Sequence, residues 1–80
     1  MKHSRHTAHP LVQALRAARE SAGLAQVDIA DALHLNPRSV GQWERGERTP
    51  DLWTLTAYAS VVGVELTAIP STAVNLKEAS

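Results

Sequence analysis

Residues 26–50 read Q-V-D-I-A-D-A-L-H-L-N-P-R-S-V-G-Q-W-E-R-G-E-R-T-P. Val27, Ile29, Ala30 and Leu33 recur at helical spacing, predicting a helix over Gln26–Leu33. The chain then passes through His34, Leu35 and Asn36 and resumes a helical pattern at Val40 and Trp43, which stops at Arg45-Gly46. Asn36 supplies a side-chain acceptor suited to cap the second helix, and Pro37 suits its first position. Two short helices joined by so brief a turn cannot lie antiparallel; they cross steeply, as in a helix-turn-helix pair. The solvent-facing residues at the start of the second helix are then Pro37, Arg38, Ser39, Gly41 and Gln42.

The flanks read as support for this pair. A first helix starts near Pro10 and ends at Gly23, with Leu11, Leu15, Ala18 and Ala22 as its apolar stripe and Leu24 plugging the turn that follows. Ala25 precedes the second helix without a side-chain acceptor, a deficit of about 1 kcal/mol against Ser or Thr. Thr49-Pro50 repeats the cap-plus-proline device and opens a fourth helix over about residues 51–62, with Leu52, Leu55, Ala59 and Val62 buried and Gly63 closing it. Beyond it Val64, Leu66 and Ala68 alternate with Glu65 and Thr67, a period of two that predicts a strand. A lone strand in a helical chain has no partner, so pairing with the same strand of a second copy is expected. Trp53, out of phase with Leu52 and Leu55, is assigned to the same surface. Residues 1–9 are expected to form a flexible arm, residues 10–70 the domain and residues 71–80 a flexible tail.

Composition narrows the function. Eighty residues make one small domain. The absence of cysteine excludes a disulfide framework or thiolate metal site and suits a reducing cytoplasm. No apolar run is long enough to span a bilayer. The eight basic and eight acidic residues cancel, which argues against non-specific coating of nucleic acid. The charges are nevertheless sorted: Arg38, Arg45 and Arg48 lie on or just after the third helix, while Asp28 and Asp31 belong to the second. No nucleophile–base arrangement, glycine-rich phosphate loop or H-E-x-x-H helix is present, so no enzyme is expected. His3, His6 and His9 lack a scaffold and acidic neighbours, so neither a metal nor a cofactor is expected. In a helix-turn-helix pair the second helix enters the DNA major groove, and double-stranded DNA is the expected partner. Gly41, costing on the order of 1 kcal/mol in mid-helix, has two readings: close approach to DNA, or a tolerated solvent position.

The stretch L-x-x-A-R-E-S-A-G-L-A-Q-x-D-I-A-x-A-L-H-L-N-P-R-S-V-G-Q-W-E-R-G-E-R-T-P-x-L-x-T-L, beginning at Leu15, resembles the Cro/CI-type (XRE) helix-turn-helix domain of phage repressors, and in its strand-tailed form HipB- or HigA-like antitoxins. The resemblance covers about residues 11–66. It departs at Ala25, where Ser or Thr is usual, at His34, where Gly is usual, and at Asn36-Pro37. His34 is accordingly expected in a left-handed backbone. The resemblance implies an all-α, lambda-repressor-like domain of four helices, extended by the dimerising strand. It implies base reading by Pro37, Arg38, Ser39 and Gln42, and phosphate binding by Gln26, Arg45, Gly46, Arg48 and Thr49. Arg19 and Glu44 would form an internal ion pair, and Trp43 would belong to the core. The function implied is a homodimeric transcriptional regulator, a repressor, on an inverted-repeat operator. The alternative is an antitoxin-like subunit that neutralises a toxin partner and regulates its own operon.

Overall fold

The computed structural model describes residues 7–70, with four helices among them: α1 (Pro10–Ser21), α2 (Gln26–Leu33), α3 (Pro37–Glu44) and α4 (Leu52–Val61). No helix among these residues is long and apolar enough to cross a membrane.

Each helix begins on a short polar device. His9 caps α1, its Nδ1 accepting from the Leu11 N–H at 3.0 Å, ahead of Pro10. At α2 the Asp28 carboxylate reaches back to the Ala25 N–H (2.7 Å), which supplies one half of a capping box and offsets the missing acceptor at Ala25. Asn36 caps α3 by accepting from Arg38 N–H at 2.9 Å. Asp51, not Thr49, caps α4, accepting from Thr54 N–H at 2.7 Å. A carboxylate at the helix N-terminus also complements the dipole, which Thr49 cannot do.

Ala8, Val12, Leu15, Ile29, Ala30, Val40, Trp43, Leu55, Tyr58, Ala59 and Val62 form the core, with Leu24 and Leu66 packed against it. Full burial of Ile29 and Val40 contributes roughly 1.5–3 kcal/mol each. Two of the expected stripes are displaced. On α1 the inward face is Val12, Leu15 and Arg19, and Leu11 is exposed. Two helical stripes share Leu15, and the one that turns Arg19 inward prevails because Arg19 has a buried partner. On α4, Leu52 is 77% exposed and Tyr58 takes the buried position. Of the expected arm, residues 1–6 lie outside the described residues, Ala8 is buried and His9 is the α1 cap. The expected tail, residues 71–80, lies outside them too.

Residues 64–70 contain no strand. Val64 N–H donates to Ala59 O at 2.9 Å, closing α4, and Leu66 leans on the core. A single chain offers this segment no second edge with which to form a ladder.

Glu44, the last residue of α3, ties the four helices together. Its carboxylate accepts two bonds from Arg19 of α1 (Nε–Oε2 2.9 Å, Nη2–Oε1 2.8 Å), one from Gln26 Nε2 of α2 (3.0 Å) and one from the Tyr58 hydroxyl of α4. Arg19 also donates Nη1 to Leu24 O at 2.7 Å. The Glu44 side chain is 1% exposed and that of Arg19 9%. Burial alone would raise the Glu44 carboxyl pKa, but the bonds from Arg19, Tyr58 and Gln26 outweigh it and hold the group below its ordinary value. Tyr58 is shifted upward, first by burial and then by Glu44, so it stays a donor.

Glu44→Gln is therefore expected to cost about 3–5 kcal/mol, because it strands a buried guanidinium. Urea denaturation should show a lower midpoint at unchanged slope. Because the folded pKa of Glu44 is depressed, its contribution is complete above the unfolded value of about 4.3 and lost as pH falls through the folded value. The variant should lack that part of the acid dependence.

α2 ends at His34, which has φ 59° and ψ 43° and is the one non-glycine residue with positive φ among the described residues. The left-handed step lets Leu35 N–H return to Ala30 O at 2.8 Å. His34→Gly should remove the Cβ conflict, less the extra chain entropy of glycine, and raise stability by up to about 1 kcal/mol in thermal or urea unfolding.

Candidate nucleic-acid interface

α3 is held by Val40, Trp43 and Glu44, all buried. Trp43 packs against Tyr58 at a ring-centroid distance of 6.4 Å. With that face fixed, Arg38, Gln42 and Arg45 fall at helical spacing on an outward stripe. Arg38 and Arg45 are exposed and Gln42 is half-buried. Pro37 is exposed at the helix start and Ser39 is half-buried beside it. Asn36 and Pro37 fix where this stripe begins.

Gln26 stands at the start of α2, half-buried, with its amide nitrogen on Glu44. Its carbonyl end faces Gly41. A Cβ built on Gly41 would lie 3.0 Å from Arg45 Nη1 and 3.3 Å from Gln26 Oε1. Gly41 is buried, so neither reading offered by the sequence describes it fully. The missing side chain makes room for two polar side chains of this same chain.

After α3 the backbone turns at Gly46 (φ 79°) and folds back, Glu47 N–H and Arg48 N–H donating to Gln42 O at 2.9 and 3.3 Å. Arg45 is paired with Glu47 through Nε–Oε2 (2.7 Å) and Nη2–Oε1 (3.1 Å), a pairing that raises the guanidinium pKa. Arg48 and Thr49 are exposed. They line a shallow cleft with Thr7, His9 and Gly46, so the chain enters α1 beside the Gly46, Arg48 and Thr49 group. Gln26, Arg45 and Gly41 thus converge where α2 meets α3, with Gln42 next to Gly41 and Arg38 nearer the start of α3.

Of the residues assigned to a dimer surface, Trp53 is 86% exposed, Val64 and Ala68 are exposed, and Leu66 is partly used by the chain's own core. Trp53 borders a shallow cleft with Leu33, Leu35, Thr54 and Ala57. Among the described residues no cluster of His, Asp or Glu could hold a metal ion.

Sequence reasoning missed the parts played by Gln26 and Tyr58 on Glu44, and by Glu47 on Arg45. The first two are long-range contacts with no local signature. The third had one, since a glycine between Arg45 and the acid permits the chain to double back.

Comparison with known proteins agrees with this arrangement. A family model described as helix-turn-helix matches residues 15–69. The chain is also 38% identical over 50 residues to an SPbeta prophage-derived HTH-type transcriptional regulator of Bacillus subtilis (strain 168), an alignment covering 62% of this chain and 46% of that protein. The chain thus spans less than half of that relative's length. With four short helices, a capped α3 and a match that runs from α1 past α4, the chain belongs to the helix-turn-helix family, in its Cro/CI or XRE form.

Proposed function

We propose that this chain is a sequence-specific, double-stranded-DNA-binding transcriptional regulator, acting in the cytoplasm as a repressor on an inverted-repeat operator. The observation that carries the reading is the stripe of Arg38, Gln42 and Arg45 on a helix whose opposite face is locked by Val40, Trp43 and Glu44. A rigid helix with outward polar side chains is what major-groove readout requires. Arg38 suits the two acceptors of guanine and Gln42 suits adenine, with Pro37 and Ser39 beside them. Gln26, Arg45, Gly46, Arg48 and Thr49 flank the helix and take the phosphate strand. The name of the Bacillus subtilis relative supports the regulatory role.

The chain acts as a homodimer in this reading, with Trp53 and the segment holding Val64, Leu66 and Ala68 forming the contact. The exposure of Trp53 (86%) and Val64 (40%) supports a protein partner at these residues. The same exposure also favours a second reading, in which an antitoxin-like chain holds a toxin there and regulates its own operon.

Selection from a randomised duplex library at about physiological salt tests the proposal, since low salt exaggerates phosphate contacts. An enriched inverted repeat is expected. A single half-site would remove the dimer, and no enrichment would overturn the DNA-binding reading in favour of the protein-binding one. On the recovered operator, Arg38→Ala should cost about 1–3 kcal/mol and relax preference at one base position. Arg48→Ala should weaken all sequences alike and lower the salt slope by about 1.

Gly41→Ala separates binding from folding. Helix propensity gains about 1 kcal/mol, and the atoms a Cβ would meet are the far ends of the long Arg45 and Gln26 side chains and not backbone. Stability should hold or rise in thermal unfolding while operator affinity falls, because both phosphate-binding side chains are pushed aside. Affinity equal to wild type would remove Gln26 and Arg45 from the contact set.

A further inference from the structure

The loop after α3 holds an arrangement that the proposed reading does not use. Gly46 turns the chain back on itself, and the bond from Glu47 N–H to Gln42 O at 2.9 Å pins the returning backbone. The Glu47 carboxylate is thereby delivered to the Nε–Nη2 edge of Arg45, at 2.7 and 3.1 Å. The remaining nitrogen, Nη1, lies over Gly41 beside Gln26 Oε1. Arginine's planar fork fits a carboxylate and a phosphate in the same bidentate way. The edge that Glu47 occupies is therefore an edge that a phosphate would take.

We propose that Glu47 is an intramolecular stand-in for a DNA phosphate. It clasps Arg45 against α3 in the free chain, and a phosphate must displace it when the operator binds. Glu47 thus attenuates DNA affinity and makes this contact an exchange of one anion for another. This inference rests on the DNA-binding reading given above. Both side chains are about half exposed (55% for Arg45, 43% for Glu47), so the clasp is weak enough to be displaced under ordinary conditions. The chain's zero net charge accords with an acid placed among basic residues beside a DNA-facing helix.

The test is the affinity of the full chain for its selected operator duplex in wild type, Glu47→Gln, Arg45→Gln and the double variant. Glu47→Gln should bind roughly two- to five-fold more tightly, the range that corresponds to breaking one exposed ion pair. In the Arg45→Gln background the same change should have little effect, because no clasp remains to release. Unchanged or weaker binding by Glu47→Gln would overturn the proposal and make Glu47 a support for Arg45. An equal gain in both backgrounds would also overturn it, reducing the effect to the loss of one negative charge near DNA. A wild-type chain that binds no duplex would instead overturn the DNA reading itself, and the clasp with it.

Discussion

A single buried carboxylate holds this small domain in register. Glu44 closes α3 and is met by Arg19 from α1, Gln26 from α2 and Tyr58 from α4, so each of its three partners reports the position of a different helix. A buried ion pair is seldom a large net source of stability, because desolvation cancels much of the attraction. Its effect here is on geometry. The core has no phenylalanine and, among the described residues, only eleven buried apolar residues, so polar contacts of fixed geometry add to what packing can do against rotation of one helix on another. A bidentate pair tolerates almost none.

The anchoring is asymmetric along α3. The buried residues Val40, Trp43 and Glu44 lie in its later part, and Pro37 and Arg38 stand exposed at its start. Side chains at that start carry little of the packing, so they can differ without disturbing the core. In the proposed reading this separates the residues that choose a DNA sequence from those that keep the fold. Gln26 belongs to both groups, since its amide nitrogen serves Glu44 while its oxygen borders Gly41 and Arg45.

The number, order and extent of the helices were legible in the sequence because proline and glycine mark them: Pro10 and Gly23, Asn36-Pro37 and Gly46, and Gly63. The unusual backbone at His34 was legible as well, from the place where glycine is ordinarily found. The rotation of α1 was not, since Leu11 and Val12 satisfy periodicity equally and the choice is made by Arg19, whose partner lies twenty-five residues away. For the same reason Leu52 looked like core, and Tyr58 received no assignment. The cap of α4 was misplaced because Thr49-Pro50 and Asp51 compete, and electrostatics at a helix start favours the carboxylate. On the candidate surface the sequence indicated that Pro37 and Arg38 face outward, but Gly41, read as facing solvent with them, is buried, and Ser39 and Gln42 are half-buried. The sequence did not reveal that Gln26 and Arg45 have partners within the chain, because such pairings depend on side chains meeting across the α2–α3 junction and across the turn at Gly46.

The two tryptophans occupy opposite extremes of environment. Trp43 is 8% exposed and packs against Tyr58 beside the Glu44 network, whereas Trp53 is 86% exposed on α4. An indole shielded from water emits at shorter wavelength than one in contact with it, so the chain carries two spectrally distinct reporters without any label. The blue component follows the integrity of the core. The red component follows whatever comes to rest on the outer face of α4, and a quencher in solution addresses that one first.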